Sequence, residues 1–477
     1  MIFYRLCKAT VGGYFKIKLV RSNDKEEERV MSRKAICVLL MVLLVFAFVL
    51  SGCDNTKVNQ TQKTDGTQQT SGGEKIKLDV WNCDSAPMYT DLFDEMLADY
   101  MNQNPNVVVE YTGIPWDTSK QKFDTAIATN TAPDLAYIVH SWVASFAGMG
   151  GLVPMDNYFN NWKEKDEFDL RFFDLDYLIL DGVRYSVPCE MLYPVIWYRP
   201  SLYAEKNLSI PKDFDEFFGN IEKLTDKSKD QYGFTIRGGG GSTMMLEAFL
   251  ISYIGADSYF DGSGQCVIDS PEGIEGMKRF ASMYNKYTPE SDITNGYKEM
   301  VAVFGSGTAA SVMHNLTSLP MHKENLGDGN FSTYTFPKAE NGKQVVCMCA
   351  VAGTAGYSIF KSSKNPDAAW DLIKFLINKE NNYKWCSTLG VLPINKSVLE
   401  EDLFTDDLIF RNAKEVLENE NITITLSPLY LPDFDAIHVN LLEPAFQEVL
   451  TGKKTAEEFL HEWAEAFEKA EQEYRNK

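Results

Sequence analysis

From Lys75 onward the apolar positions follow two alternating periods. Ile76–Trp81 alternates apolar and polar residues and predicts a strand. Asp91–Asn102 carries Leu92, Phe93, Met96 and Leu97 at helical spacing, and Asn104-Pro105 ends it. Val107–Tyr111 predicts a second strand, Phe123–Thr129 a helix and Leu135–Val139 a third strand, entered through the turn Ala132-Pro133-Asp134. Strands alternating with helices imply βαβ units, a mostly parallel sheet and an α/β fold. Ligands of such sheets collect at the carboxyl ends of the strands, which puts Trp81–Asp84 and His140–Trp142 on one rim.

The pattern continues to the end of the chain. The turn Asp181-Gly182 leads into the strand Val183–Val187, and the aromatic run Tyr193–Tyr198 follows. Phe214–Leu224 reads as a helix, and Phe234–Ile236 as a strand ending at Arg237 and four glycines. Pro271–Tyr287 reads as a helix, Ala309–Met313 as a strand, and Asn365–Leu376 and Thr455–Gln472 as helices. Trp370 and Trp463 fall on their apolar faces and belong to the core, whereas Trp81 and Trp142 stand at strand ends. No repeat of solenoid length is present.

One run fits neither period. Ala35–Leu50 is uninterrupted apolar sequence, preceded by Arg33-Lys34 and closed by Ser51-Gly52-Cys53. It falls short of the roughly 20 residues a membrane span requires. A basic start, an apolar middle and small residues at the end read as an export signal. Leu50–Cys53 resembles a lipobox, so cleavage before Cys53 and a lipid anchor on that cysteine are expected, outside the cytoplasm. Residues 1–30 fit no part of this signal, which makes Met31 the expected start. Asp54–Gly73 has one apolar residue, Val58, and reads as a flexible tether reaching on the order of 25 Å.

Length allows two or three ordinary domains, or one large two-lobed body. The net charge is −21, and beyond residue 52 the chain carries 37 basic against 63 acidic residues, so nucleic acid is not an expected partner. Cys7 and Cys37 precede the cleavage point. The remaining Cys83, Cys189, Cys266, Cys347, Cys349 and Cys386 are scattered in apolar settings and read as buried thiols. Cys347-Met348-Cys349 has no second ligand pair nearby, so no structural metal and no cofactor are expected.

Catalytic patterns are mostly missing. Gly238–Gly241 before Ser242 lacks the phosphate-loop lysine, and Gly452-Lys453-Lys454-Thr455 lacks the upstream glycine. Gly305-Ser306-Gly307 is too short for a nucleophile elbow. His461-Glu462 has Glu465 where a zinc helix needs histidine. A pair of glycosidase carboxylates remains open, because so many acids are present. Aromatic residues reach 13%, and flat rings beside Asp, Asn, Arg and His suit sugar rings.

Seven stretches carry a family resemblance in order: KLDVW; AIATNTAPDLAYI leading to GMGGLVPMDNY; DGVRYSVPCEMLYPVIWYRPSLYAEKNLSIPKDFDEF; VFGSGTAASVMHN; GTAGYSIFKSSKNPDAAWDLIKFL; LGVLPIN; and EVLTGKKTAEEF. From about Lys75 to Lys469 the chain resembles the extracellular solute-binding proteins of carbohydrate ABC transporters, the maltose-binding-like family 1. One departure is Tyr198-Arg199-Pro200, where the family usually has Tyr-Asn. The resemblance implies a two-lobed periplasmic-binding-protein-like fold (type II), with three interlobe crossings and a ligand cleft between the lobes. The crossings are expected near Pro188–Glu190, Ala350–Gly353 and Ile422–Ser427. Lobe 1 is then 74–188 plus 352–425, and lobe 2 is 189–351 plus 426–477.

Carried over by position, the resemblance implies a ligand set. Trp81, Trp142 and Tyr193 stack; Asp84, Glu190 and Asp433 accept; Asn82, Arg237, His314 and Asn315 donate. His140, Ser141, Gly238, Gly353 and Phe434 complete the loops. Trp142→Ala and Glu190→Ala are expected to weaken binding with little loss of stability. The implied function is capture of a sugar or oligosaccharide by a monomer, without catalysis, and delivery to permease subunits. The alternatives are an extracellular carbohydrate-active enzyme, or a peptide, polyamine or glycerol phosphate ester as cargo.

Overall fold

The computed structural model describes residues 75–350 and 353–476, together with the backbone of a short N-terminal hairpin. The chain divides into two units, Met1–Ser71 and Gly72–Lys477. In the first, β1 (Cys7–Val11) pairs antiparallel with β2 (Tyr14–Lys18). The export signal, Cys53 and the tether lie outside the described residues. Among those described, no helix is long and apolar enough to cross a membrane.

The second unit holds two groups of strands. β3 (Ile76–Asn82) runs parallel to β4 (Val107–Gly113) and to β5 (Leu135–Val139). A small hairpin, β6 (Ile179–Leu180) with β7 (Val183–Arg184), precedes β8 (Val187–Met191). Beyond β8 the chain changes sheets. β9 (Pro194–Tyr198) is the centre strand of a second sheet, flanked antiparallel by β10 (Ser311–Asn315) and β11 (Ser332–Tyr334). β12 (Gln344–Met348) then leads back into the first sheet as β13 (Thr354–Ile359), with β14 (Leu392–Pro393) at its edge. The last strand, β15 (Ile422–Leu426), lies parallel to β12.

The first sheet therefore reads β14-β8-β13-β5-β3-β4 and is mixed rather than mostly parallel. β13 arrives from the other lobe and enters between β5 and β8 antiparallel to both. The switch from β8 to β9 falls at Leu192–Tyr193, downstream of Pro188–Glu190. The second crossing lies between β12 and β13. The third follows the helix Leu408–Glu418, and β15 already pairs with β12 of the second lobe.

Local rules explain most elements. Pro87 opens the first long helix, Pro87–Gln103, one turn earlier than the apolar pattern indicates. The helix Phe214–Leu224 matches its predicted limits, because the Asp213 side chain caps the Glu216 N–H at 2.8 Å. Phe234–Ile236 forms no ladder; it keeps one parallel bridge, Thr235 with Val312. The helix Ser242–Ile254 is buried from Ser242 to Ser252, its Thr243 and Glu247 included, and packs on β12. Trp370 and Trp463 are core residues, and the six cysteines from Cys83 to Cys386 are buried.

Candidate functional site: the seam between the lobes

The carboxyl end of β3 delivers Asn82 and Asp84. Asn82 is fully buried; its amide donates to the Tyr111 hydroxyl at 3.3 Å, and its Oδ1 accepts from the Asp84 N–H at 2.9 Å. Asp84 is half-buried and receives the Ala86 N–H at 2.8 Å. Burial raises its pKa, opposed by that N–H and by Lys298 of the other lobe. The next strand–helix turn supplies Trp116 and Asp117. Trp116 stacks on Trp142 with centroids 5.7 Å apart and planes 25° from parallel.

Lobe 2 meets this rim with the glycine loop and two turns. Arg237 folds over the loop, its Nε donating to the Gly240 carbonyl at 2.5 Å. Gly241 has φ +78, and an added Cβ would run into the Arg237 guanidinium, so glycine is required there. The Gly241 N–H donates to Glu443, and Gln447 holds the Gly238 carbonyl at 2.9 Å. Burial lowers the Arg237 pKa, while Glu443, Tyr297 and Asp117 pull it back. Tyr297 stacks on His314, and burial pushes its hydroxyl up to about 12, against a bond to Thr317. Burial, with Arg237 and His322 adding to it, keeps the His314 pKa well below its ordinary value. Asn315 is committed to its own turn, accepting from Thr317 N and Oγ1 at 2.9 and 2.6 Å.

Several expected contacts lie elsewhere. Trp81 points to the back of β3: its indole donates to Asp79, its ring packs on Phe123, and Lys122 lies over it. His140 is locked inside lobe 1, with Nδ1 2.7 Å from Thr354 Oγ1 and Nε2 2.9 Å from Ser186 Oγ. Burial lowers its pKa to about 3, so it is a neutral structural residue. Glu190 has both oxygens occupied, by the Tyr137 hydroxyl at 2.5 Å and by the Trp385 indole. Trp142 is 5% exposed and packs on Phe123 and Phe146 as well as Trp116. Tyr193 is buried at the sheet switch beside Thr335. Gly353 gives its carbonyl to the Leu192 N–H at 2.7 Å, which joins two crossings. Phe434 is a core residue on His438 and Phe467. Asp433 is exposed in a surface groove with Ile437 and Lys469. The carboxylate that reaches lobe 1 is Asp435, accepting from Ser141 Oγ at 3.4 Å.

A family model for bacterial extracellular solute-binding proteins matches residues 86–383, more than half of the chain. The chain belongs to that family. Among relatives, the maltotriose-binding protein of Pyrococcus abyssi is 25% identical over 437 residues, covering 82% of this chain and 89% of that protein. Two solved structures share the two-lobed fold. A solute-binding protein of Thermotoga lettingae, bound with alpha-D-tagatose, aligns with TM-score 0.72 and 21% identity over 83% of this chain and all of that one. The GacH receptor of Streptomyces glaucescens, solved unliganded and with acarbose, aligns with TM-score 0.71 and 19% identity, over 83% of this chain and 98% of that one.

This solute-binding protein places at the seam several residues that the motif reading missed. Trp116 and Asp117 follow β4, so the strand-end rule that selected Asp84 would also have found them. Tyr297 and Lys298 open a helix after a polar stretch with no periodicity. Among the described residues no cluster of His, Cys, Asp and Glu has metal-ligand geometry.

Proposed function

We propose that the protein captures a sugar or polyol between its lobes and presents it, closed, to the permease subunits of an ABC transporter. The observation that carries this reading is the meeting of flat rings and mixed charges at one seam. Trp116–Trp142 and Tyr297–His314 are stacked pairs on opposite lobes. Asp84 and Asp117 face Lys298 and Arg237 across the seam, with Glu443 beside the arginine. Sugar C–H faces stack on rings while hydroxyls take hydrogen bonds from charged and polar groups. The cargoes named for the similar proteins, maltotriose, tagatose and acarbose, support a carbohydrate.

The proposed ligand set keeps Asp84, Ser141, Arg237 and Gly238, with Asn82, His314 and Asn315 as buried supports of the rim, and adds Trp116, Asp117, Tyr297, Lys298, Thr317 and Glu443. Lobe 1 would comprise 75–192 and 353–421, and lobe 2 the intervening stretch and 422–476. Closure turns the lobes about the three crossings. A monomer tethered to the membrane through a lipid on Cys53 completes the reading, and no covalent step is assigned to it. Thermal-shift measurements against maltotriose, tagatose, ribitol and monosaccharides test it, because a tight ligand stabilises by mass action. The expected result is a raised Tm with sugar recovered intact. Sugar turned over would make the protein an enzyme; a shift with peptides or polyamines alone would overturn the cargo.

A further inference from the structure

The helix that begins at Phe434 does not run straight. Phe434–Ile437 is α-helical, His438–Leu442 is a π-turn, and Glu443–Leu450 is α-helical again. Asp435 and Glu443 are eight residues apart. In an unbroken α-helix that spacing turns the two side chains about 80° from one another. A π-turn absorbs one residue, so the pair behaves as if seven apart and the offset falls to about 20°. Both carboxylates consequently face the seam: Glu443 on the Gly241 N–H, Asp435 on Ser141 of lobe 1. His438 holds the turn from the core, with Nδ1 2.9 Å from Thr243 Oγ1 and Nε2 3.8 Å from Glu247.

Asp435 is poorly compensated where it lies. Oδ1 has one long hydrogen bond, 3.4 Å, and Oδ2 is buried with no partner. Lys120, the cation facing it from lobe 1, is committed to Asp124 at 2.8 Å and Ser145 at 3.3 Å. The titratable groups around the carboxylate are Lys120 and Asp124 from the helix Trp116–Ala128 and His438 from its own helix. Burial outweighs what Lys120, His438 and Ser141 return, and the pKa rises from 3.8 to about 6. Ser141 and Lys120 belong to lobe 1, so parting of the lobes would carry both away and return water to the carboxylate.

We propose that closing of the lobes takes up a proton at Asp435, so that acidification favours the closed, ligand-holding form. The part of this that concerns ligand rests on the seam being the ligand site. The sign follows from linkage. The closed form holds the proton more tightly than the open form, so closure gains as pH falls from about 6 toward 4 and is level above that window. The gain is at most roughly a hundredfold in the closing equilibrium, the factor set by a shift of about two pH units.

Small-angle scattering of the ligand-free full chain between pH 4 and 7.5 reads closure directly. The wild type is expected to become more compact in acid, and Asp435→Asn to be compact throughout with no pH dependence. With whichever of maltotriose, tagatose or ribitol binds, calorimetry at pH 5.5 in two buffers should count about 0.7 proton taken up by wild type and none by Asp435→Asn. Equal compaction and equal proton counts in the two proteins would overturn the proposal. Should Asp435→Asn not fold, Ser141→Ala serves: it removes the one hydroxyl donor, so the pH midpoint of compaction must move up, and an unmoved midpoint overturns the proposal. A panel in which no sugar binds defeats the cargo reading and leaves the scattering comparison decisive for the proton.

Discussion

Tyr297 lies over His314 with ring centroids 4.8 Å apart and planes 26° from parallel. The imidazole is 3% exposed and its Nδ1 is 3.3 Å from Ser318 Oγ, so it is a fixed support. The phenol is half-buried and keeps surface at the seam. We predict that Tyr297→Ala weakens sugar binding about tenfold, the size of one aromatic stacking contact. Tyr297→Phe keeps the ring and loses only the bond to Thr317, and should stay within about threefold of wild type. Calorimetry with the best sugar of the thermal-shift panel separates the two. Equal losses would assign the effect to the hydroxyl rather than the face.

Glu190 belongs first to the interior of lobe 1. Burial raises its pKa from 4.5 to about 7, against the bonds from Tyr137 and Trp385. Because the folded protein holds this proton more tightly than the unfolded chain, the stabilisation is complete below about 4.5 and is lost as pH rises through about 7. Urea unfolding should therefore show a decline of at most about 3 kcal/mol between pH 4.5 and 8 from this group. Glu190→Gln should flatten that slope. Glu190→Ala strands two buried donors and should cost roughly 2–4 kcal/mol. The expectation that Glu190→Ala spares stability does not survive this geometry, and a variant as stable as wild type would restore it.

The sheet of lobe 1 was largely legible. β5 appears at its predicted limits, and β3 and β4 are each extended by one or two residues, because period and turn residues are local signals. Direction was not legible. The strand-end rule placed His140 at the rim, but the turn after Val139 aims its ring inward at Thr354 and Ser186, partners that no neighbouring sequence reveals. Trp81 failed similarly, since strand alternation sends it to the face holding Phe123. Asp433 was carried over by position from the resemblance; it lies exposed in a surface groove, and Asp435 is the carboxylate that meets Ser141, on a short helix and π-turn that leave no periodic trace. The mixed sheet was hidden because β13 returns to it only after the whole of lobe 2 has been built.

Gly356 marks a place where backbone leaves no room. Ala355 pairs with Glu190 and Gly356 with Pro188, so the register slips and Cys189 is the extra residue of a bulge. Pro188 lacks an N–H and is suited to that irregular position. A Cβ on Gly356 would collide with the Val187 carbonyl and stand 2.7 Å from Pro188 Cα. Neither is a flexible side-chain end, so strand β8 must move just before the first crossing. We predict that Gly356→Ala lowers stability by about 2–4 kcal/mol, read by urea unfolding. Because the displaced strand feeds the hinge, the compaction on sugar addition should shrink as well.

The charges at the seam bear on which sugars are accepted. Arg237 is held by the Gly240 carbonyl and lies within reach of Glu443 and Asp117. Lys298 faces Asp84, and Lys120 is bonded to Asp124. Lys120 is thus ion-paired, Arg237 and Lys298 each lie in the field of carboxylates around them, and Asp435 is a further acid on the same rim. An anionic cargo that approached any of these cations would also meet the acids around it at short range, where repulsion is weakly screened. A neutral sugar meets no such repulsion, and its hydroxyls both donate and accept. We predict that matched pairs tested by thermal shift, glucose against glucuronate and galactose against galacturonate, favour the neutral member whenever either binds. The preference should be at least about tenfold in Kd, one unit-charge repulsion of roughly 1.4 kcal/mol. It should shrink in Asp117→Asn, which frees part of the Arg237 charge; a uronate that outcompetes its neutral parent in the wild type would show that an unpaired cation opens when the lobes part.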